Sequence, residues 1–519
     1  MSRSGLLRST AVFSAMTLIS RVAGLARDLI QASLFGAGPA VSAFVVAYRI
    51  PNYLRRVFAE GSFASAFVPV LSELRQKGDE AALRDFLDHV AGALLAVVVT
   101  ITGLGILFAP WIARLFLLFA GKDSEQVAMT AEMLRITFPY LAFISMTALS
   151  GAVLNSFRQF GLPAFTPVLH NLAVIFAMLL LARYFEVPEF ALAWGVFLAG
   201  LLQLLLLWPA LGRLGLRPRL RMDFRHEGVR RVFTLMVPTI FSSSVSQLNL
   251  LVGTMFASLL VVNAQSWLYY TDRLIEFPLG MFGVAIGTVI LPHLSRRHAD
   301  TDAAGYSHAL DWGLRLSLLV GIPAALGLAL LAGPLASTIL FRGAFTLHDT
   351  QMVAISVTAM SVGVAPFMIT KVLLPAFYSR QDTRTPMRAA ILTVFINVAL
   401  TVLLVTPLWY YGVVAAHAGI ALATALAGIA NAALLWRYVR RDGLYRPEPG
   451  WRKLLVQIAV GCVLMTLAVL SMRQALGDWN QMHWISRLTW LLVSVAAGAA
   501  AYGAGLLLAG LRPKHLREV

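Results

Sequence analysis

Charged side chains interrupt several segments of the sequence that are otherwise long and apolar enough to cross a membrane. The set comprises Arg21, Arg27, Asp28, Arg49, Arg55, Arg56, Glu60, Asp272, Arg273 and Glu276. Four of its arginines lie within the apolar segments: Arg21, Arg27, Arg55 and Arg273. Each charge at the centre of a bilayer costs at least ~2.5–3.5 kcal/mol, so these four facing lipid would cost on the order of 10 kcal/mol. We therefore expect them to face one another, water or a bound ligand.

Helical periodicity brings these charges onto shared faces. In the first segment, positions i, i+3 and i+7 hold Arg21, Gly24 and Asp28. In the second segment, one stripe contains Arg49, Arg56 and Glu60. In the third, Arg273 precedes Glu276 by three residues and Asp272 precedes it by four, and helical side chains meet at both spacings. The pattern predicts that these three segments, near residues 10–34, 41–70 and 267–294, share a polar lining.

The balance of these charges indicates a class of ligand. Six cations accompany four anions, which leaves an excess of two positive charges. That excess suits a pyrophosphate, because planar guanidinium groups match phosphate oxygens in pairs. The alternative is that the charges form salt bridges between helices and only stabilise the bundle. This alternative applies most to Arg56, Glu60 and Asp272.

Other polar or small residues inside the apolar segments favour packing roles. Gly283 and Gly287 have the spacing of a helix-packing face. His170 and His417 are interpreted as polar packing residues rather than proton carriers. Lys371 has two open interpretations, as a ligand group or as a side chain that extends to the membrane surface.

Catalysis and metal binding have little support in the sequence. The triplet Asp300-Thr301-Asp302 resembles a metal-binding motif of glycosyltransferases, but it lies in a short loop rich in alanine and glycine. The single cysteine, Cys462, lies in an apolar run and excludes disulfides and thiolate metal sites. We expect no catalytic residue, no metal site and no cofactor.

The elements that position these residues are membrane-spanning helices. Of the 519 residues, 59% are hydrophobic and 13% are charged, whereas a soluble protein has roughly 25% charged residues. Hydropathy predicts fourteen spans near residues 10–34, 41–70, 86–113, 129–157, 164–183, 189–211, 232–261, 267–294, 308–333, 352–378, 386–407, 412–437, 453–473 and 486–511. The predicted fold class is an all-α integral membrane protein.

The loops between the spans predict the orientation. We assign 27 Lys and Arg residues to one side of the membrane and six to the other, with the densest group at residues 213–231. Basic loops stay in the cytoplasm, so both termini are predicted to be cytoplasmic. The net charge of +17 is explained by this rule, and no nucleic-acid partner is expected.

An internal repeat relates the first twelve spans. Landmark prolines recur about 224 residues apart, at Pro69 and Pro292, Pro110 and Pro334, and Pro163 and Pro386. The repeat predicts an N-terminal six-helix lobe (1–213), a basic cytoplasmic linker (214–231), a C-terminal six-helix lobe (232–438), and a linker with two additional helices (439–519). Two such lobes are expected to be related by a pseudo-two-fold axis along the membrane normal and to enclose a central cavity.

Four motifs carry a family resemblance. They are residues 20–28 (SRVAGLARD), 51–56 (PNYLRR), 272–278 (DRLIEFP) and 377–382 (FYSRQD). They resemble motifs of the MurJ (MviN) family of lipid II flippases, and the resemblance extends over nearly the whole chain, including the two extra helices.

The resemblance implies the multidrug/oligosaccharidyl-lipid/polysaccharide exporter fold in the bacterial inner membrane. It implies that lipid II, undecaprenyl-pyrophosphoryl MurNAc-pentapeptide-GlcNAc, is flipped to the periplasmic leaflet by alternating access. The family's cavity arginines correspond to Arg21, Arg27, Arg55 and Arg273. Its charged partners correspond to Asp28, Glu60, Asp272 and Glu276, and Arg49 is a further candidate for a charged cavity or gating residue. Lipid II and membrane lipids are the expected partners of a monomer, and an association with cell-wall synthesis proteins is left open.

Two departures from the family and two alternative functions remain. Relatives often have an acid where Ser42 stands, and no carboxylate supports a sodium site in spans seven or eleven. The alternatives are a flippase or exporter of the same fold with another substrate, such as an undecaprenyl-linked oligosaccharide, and a membrane glycosyltransferase. The second is disfavoured because the predicted outward loops are short, so no enzymatic activity is expected.

Overall fold

A computed structural model describes residues 3–56, 63–118 and 125–511, and every regular element within these ranges is a helix. Contacts divide the chain into a first unit, Met1–Gln265, and a second unit, Ser266–Val519. The helices of the first unit are α1 (Arg3–Phe35), α2 (Pro39–Arg55), α3 (Phe63–Lys77), α4 (Glu80–Leu107), α5 (Ala109–Phe116), α6 (Glu125–Thr137), α7 (Pro139–Ser156), α8 (Gly161–Leu180), α9 (Phe190–Arg213) and α10 (Glu227–Ala257).

The second unit continues the same architecture. Helix α11 (Ala264–Pro278) begins at the boundary, and a π-helical turn (Leu279–Gly283) follows it. The remaining helices are α12 (Val284–Ala299), α13 (Ala303–Ile339), α14 (Leu347–Ser361), α15 (Val364–Tyr378), α16 (Arg384–Tyr410), α17 (His417–Arg441), α18 (Trp451–Leu476) and α19 (Trp484–Leu508).

The helices agree with the predicted membrane spans. In the described ranges, nine helical segments are long and apolar enough to cross a membrane, and a tenth is the pair α14 and α15, bent by 47°. These ten coincide with ten of the fourteen predicted spans. The other four are 10–34, 41–70, 232–261 and 267–294, and three of them carry the charged residues. The all-helical, multi-pass membrane fold is confirmed, and the number fourteen is consistent with it.

The compact units and the predicted lobes assign α10 to different halves of the chain. This helix packs against α3 and α4, so its contacts group it with the first unit. The sequence had placed the segment 232–261 at the start of the second lobe. The lobe boundaries at 213 and 232 stay a prediction, since contacts and repeats are different criteria.

Local backbone features recur with the predicted repeat. Asp79 caps α4 by accepting a hydrogen bond from the amide of Ala82 at 2.9 Å, and Asp302, 223 residues later, caps α13 through Gly305 at 2.8 Å. The left-handed residue that closes α7 is Arg158 (φ 64°). Its counterpart after α15 is Gln381 (φ 60°), again 223 residues later.

Both closures are Schellman motifs with the same hydrogen bonds. The amide of Gln159 donates to the Leu154 carbonyl, and the amide of Asp382 donates to the Phe377 carbonyl. The backbone therefore aligns Arg158 with Gln381 at the 223-residue spacing of the repeat.

In each unit a buried aspartate binds the linker that ends the predicted six-span repeat. This linker follows α9 in the first unit and α17 in the second. Asp88 on α4 accepts the amide of Arg219 at 2.8 Å. Asp311 on α13, also 223 residues later, accepts the Tyr445 hydroxyl at 2.7 Å and the Trp451 indole N–H at 2.8 Å. Each carboxylate satisfies linker groups that would otherwise lose their hydrogen bonds when buried. Sequence reasoning missed both residues, although the repeat spacing relates them.

The two additional helices, α18 and α19, pack together and against α13. A Cβ added to Gly505 would lie 2.6 Å from the Cα of Gly461, so glycine at this crossing permits the close approach of the two backbones. The Tyr502 hydroxyl donates to the Leu319 carbonyl on α13 at 2.7 Å. These contacts place the appended helices within the second unit.

Candidate functional site

Arg27 is the best-defined predicted site residue of the first unit. Its Nε and Nη2 donate to Asp28 Oδ1 at 3.0 and 2.7 Å, and its Nη1 donates to Asn171 Oδ1 on α8 at 3.1 Å. Asn171 in turn donates from Nδ2 to the Ser20 carbonyl at 3.0 Å. The guanidinium is thus held between its own helix and a neighbour, and the predicted partner Asp28 contacts it. Asn171 was missed, because its relation to Arg27 spans 144 residues.

The rest of the α1 stripe follows the same packing. A Cβ on Gly24 would lie 3.5 Å from Asn171 Nδ2, so the glycine faces α8. Asp28 is buried, and Arg21 is exposed. The structure therefore brings Gly24 and Asp28 onto the packed side of α1 and leaves the Arg21 side chain accessible.

The α2 residues separate into different environments. Arg49 is buried and donates from Nη1 to Thr254 Oγ1 on α10 at 2.7 Å, which connects the two helices. Arg55 is half-buried, and its Nε donates to Asn52 Oδ1 at 3.0 Å. Arg56, at the end of the helix, is exposed. Glu60 lies outside the described residues.

A buried tyrosine lies within electrostatic range of an α1 and an α2 arginine. Tyr140 on α7 is 3% exposed, and both Arg55 and Arg27 lie near enough to act electrostatically on its hydroxyl. Its ring centroid lies 5.7 Å from His170, which also stacks with Tyr48 at 6.5 Å. Two of the four predicted arginines therefore approach one aromatic cluster, and His170 packs within that cluster, as predicted.

The second unit contains the predicted i, i+3 pair. Arg273 Nη1 lies 3.1 Å from Glu276 Oε2, and its guanidinium lies 5.1 Å from the centroid of the Tyr269 ring. The side chains are 36% and 59% exposed, so the pair is open to exchange with another anion. Asp272 on the same helix is half-buried.

The packing interpretation of Gly283 and Gly287 is confirmed. Added Cβ atoms would lie 3.7 Å from Lys371 Cγ and 3.2 Å from the Lys371 carbonyl, respectively. The glycines thus face α15 at Lys371, whose side chain is exposed. Both interpretations of that lysine stay open.

His417 packs in the interior, as expected, and Asp302 caps a helix, a role that the sequence analysis did not predict. His417 is fully buried, with Nε2 3.0 Å from the Met352 carbonyl. Besides capping α13, Asp302 pairs with Arg297 at 2.6 Å. The Gly305 amide and Arg297 hold the pKa of the Asp302 carboxyl below its ordinary value. The carboxylate thus stabilises the start of a helix.

Together, the described site residues present guanidinium groups that neighbouring side chains orient. Such groups bind phosphate oxygens through charge-assisted hydrogen bonds and require no covalent step. The arrangement is suited to anion binding.

Comparison with known proteins identifies the relatives of the chain. The family model described as lipid II flippase MurJ matches residues 31–489. The chain is 42% identical to the probable lipid II flippase MurJ of Vibrio cholerae, over 99% of this chain and 98% of the relative. It is 38% identical to the lipid II flippase MurJ of Burkholderia cenocepacia, over 99% of both chains.

Solved structures show the same similarity. A lipid II flippase MurJ in an inward closed conformation matches with a TM-score of 0.79 and 25% identity, over 95% of this chain and 98% of that one. An inward-facing multidrug resistance MATE family transporter of the MOP superfamily matches with a TM-score of 0.66 and 12% identity, over 84% of this chain and 98% of that one. The second match concerns the fold alone.

Proposed function

Because the chain belongs to the family described as the lipid II flippase MurJ, we propose that it flips lipid II from the cytoplasmic to the periplasmic leaflet by alternating access. The observation that carries this proposal is the match to curated relatives at up to 42% identity over essentially the full length of both chains. As a transporter, the protein acts by binding and conformational change, and it has no catalytic step.

The pyrophosphate of the substrate is the group we assign to the arginines. Arg27 and Arg55 approach the same buried tyrosine, and Arg21 is accessible on α1. Asp28 and Asn171 act as positioning residues, because they hold the Arg27 guanidinium in one orientation before substrate binds. A preoriented side chain loses less conformational entropy on binding, which favours affinity.

Arg273 and Glu276 are assigned a role in the conformational equilibrium. A ligand shifts such an equilibrium only through contacts that differ between the states. A pyrophosphate that competes with Glu276 for Arg273 provides one such contact. The pair is exposed and therefore weak, so the exchange has a low cost.

The orientation that we propose follows the positive-inside rule, with both termini and the basic linker 214–231 in the cytoplasm. The protein acts in the bacterial inner membrane. Lipid II and membrane lipids are its proposed partners, and a monomer is its proposed state.

The decisive experiment is depletion of the protein in its host, followed by identification of the lipid-linked precursor that accumulates on the cytoplasmic leaflet. Accumulation of lipid II supports the proposal. Accumulation of another undecaprenyl-linked oligosaccharide instead supports the alternative, a flippase of the same fold that transports that oligosaccharide.

Complementation of the depleted strain then tests the arginines. Arg27→Ala is expected to abolish flipping at normal protein abundance. Arg27→Lys is expected to restore it only in part, because lysine keeps the charge but loses the planar fork. Arg225→Ala, in the basic linker, removes the same charge elsewhere and is the matched control. Full activity of Arg27→Ala and Arg273→Ala at normal abundance would contradict the assignment.

A further inference from the structure

Three side chains with metal-binding chemistry meet where the first-unit linker enters α10. Asp85 and His89 lie one helical turn apart on α4, and His226 immediately precedes α10. Asp85 Oδ2 lies 3.0 Å from His226 Nε2, and Asp85 Oδ1 lies 3.4 Å from His89 Nδ1. One ligand atom from each residue falls within 4.8 Å of the other two.

The three ligand atoms lie within reach of a small coordination sphere. The His89 and His226 rings stack with centroids 4.3 Å apart and 7° between their planes, so one ring must turn to point both nitrogen lone pairs at a single ion. Zinc bonds to nitrogen and oxygen measure ~2.0–2.2 Å, so adjacent ligand atoms of a tetrahedral ion are about 3.3–3.5 Å apart. Two imidazoles and one carboxylate favour a first-row transition ion over magnesium or calcium. We propose that Asp85, His89 and His226 form a binding site for a divalent transition-metal ion such as Zn²⁺, with water as the fourth ligand.

The surroundings of the cluster allow an ion to enter. The Asp85 side chain is 46% exposed, while those of His89 and His226 are 14% and 23% exposed. Arg221 is the competing cation, with Nη1 3.6 Å from Asp85 Oδ1. Its side chain is half-exposed, and its Nε also lies 4.0 Å from Asp88, so that second carboxylate can retain the arginine when Asp85 takes the ion.

Metal binding would change the hydrogen bonds of both imidazoles. His89 Nδ1 also lies 2.8 Å from the Asp85 carbonyl, a contact that coordination through Nδ1 replaces. His226 Nδ1 accepts the Gly228 amide at 3.2 Å and thereby caps α10. Coordination through Nε2 places the ring proton on Nδ1, so this cap is given up. The ion would therefore tie α4 to the linker while loosening the first turn of α10.

The second unit contains a natural control for this site. At the repeat spacing of 223 residues, His308 occupies the position of Asp85, and its Nδ1 lies 2.6 Å from Glu448 Oε1 in the following linker. Trp312 occupies the position of His89. In the described part of the chain, no third ligating side chain joins His308 and Glu448. Both units thus join a helix to its linker with an acid–histidine pair, and among the described residues only the first unit adds a third ligand.

The test uses the purified full-length protein without an affinity tag, with Co²⁺ as a spectroscopic substitute for zinc. We expect one Co²⁺ per chain, with the visible absorption of a tetrahedral ion that added Zn²⁺ abolishes. His89→Gln should weaken binding by more than the ~10–100-fold that loss of an outer-sphere partner costs. His308→Gln, the matched control, should bind as the wild type does.

Gel filtration and melting temperature of each metal-free variant verify folding. If His226→Gln fails to fold because α10 loses its cap, His89→Gln and Asp85→Asn decide the question. Failure of the wild type to bind Co²⁺, or equal binding by wild type and His89→Gln, would overturn the proposal. The result is independent of which lipid the protein transports.

Discussion

Replacing Asp311 by alanine should destabilise the second unit far more than the equivalent change at Asp88 destabilises the first. Asp311 is 1% exposed, and its Oδ2 lies 2.5 Å from Arg315 Nε. Its Oδ1 accepts hydrogen bonds from Tyr445 and Trp451. Burial and the adjacent Asp311 carboxylate raise the pKa of Tyr445, so its hydroxyl stays a donor throughout the physiological range.

The magnitudes follow from these contacts. Removing one partner of a buried ion pair costs about 3–5 kcal/mol, and the lower end applies because Arg315 is about a quarter exposed. Three donors lose their acceptor, namely the Tyr445 hydroxyl, the Trp451 indole and the Glu448 amide at 3.3 Å, and each adds about 1 kcal/mol, which gives about 6 kcal/mol for Asp311→Ala. Asp88→Ala orphans a single backbone amide, and its 4.0 Å contact with the half-exposed Arg221 adds little, so about 1 kcal/mol is expected.

Thermal unfolding of the purified proteins in the same detergent measures the difference. At about 2–4 °C per kcal/mol for units of this size, Asp311→Ala should lower the melting temperature by about 10 °C or more. Asp88→Ala should lower it by about 2–4 °C. Asp311→Asn, which keeps the oxygen that accepts from the linker, should fall between them. Equal shifts for the two alanine variants would refute the argument that the Asp311 network anchors its linker more strongly.

Three further predictions concern the Arg273–Glu276 pair, the pH dependence of thermal stability and the membrane topology. In a Cys462→Ser background, Glu276→Gln should change the periplasmic labelling of cysteines placed along α11, since it releases the paired arginine; unchanged labelling would make the pair purely structural. Arg231 on α10 lies with Nη2 2.7 Å from Glu73 Oε2, and its hydrogen bond holds the pKa of Glu73 at about 2, against an ordinary 4.5. A carboxyl with a lowered folded-state pKa stabilises above its unfolded pKa and loses that contribution as pH falls through the folded one. Glu73→Gln should therefore melt slightly lower than wild type at pH 7, with the difference disappearing between pH 4.5 and about 2, and a pH-independent difference would argue against the ion pair. Reporter fusions after Arg219 should report cytoplasm and those near Trp479 periplasm, and a periplasmic signal at the first site would reverse the orientation.

Features carried by neighbouring residues could be predicted without the structure. The Arg273–Glu276 pair depends only on helical spacing, and the structure contains it at 3.1 Å. The ten membrane spans that meet the length and hydropathy criteria are likewise local, since each depends on a continuous apolar run. Periodicity alone also predicted that Gly283 and Gly287 form a packing face.

Periodicity failed to distinguish residues on one face of a helix. Arg49 and Arg56 are seven residues apart and share a predicted stripe, yet Arg49 is buried and Arg56 is exposed. The difference arises because Arg49 lies where α10 packs and donates to Thr254, whereas Arg56 lies at the end of α2. A stripe predicts the side of the helix on which a side chain lies. Its burial depends on which neighbouring helix packs against that turn.

The sequence by itself determined that this protein is helical, crosses the membrane many times, repeats its architecture and concentrates arginines in a few spans. Those properties follow from composition and local spacing. The tertiary structure decided which partners orient those arginines: Asn171 reaches Arg27 across 144 residues, and His226 reaches Asp85 across 141. Such contacts depend on how helices pack, and many packings bury nearly the same apolar area, so no single segment of sequence specifies which distant polar groups will meet.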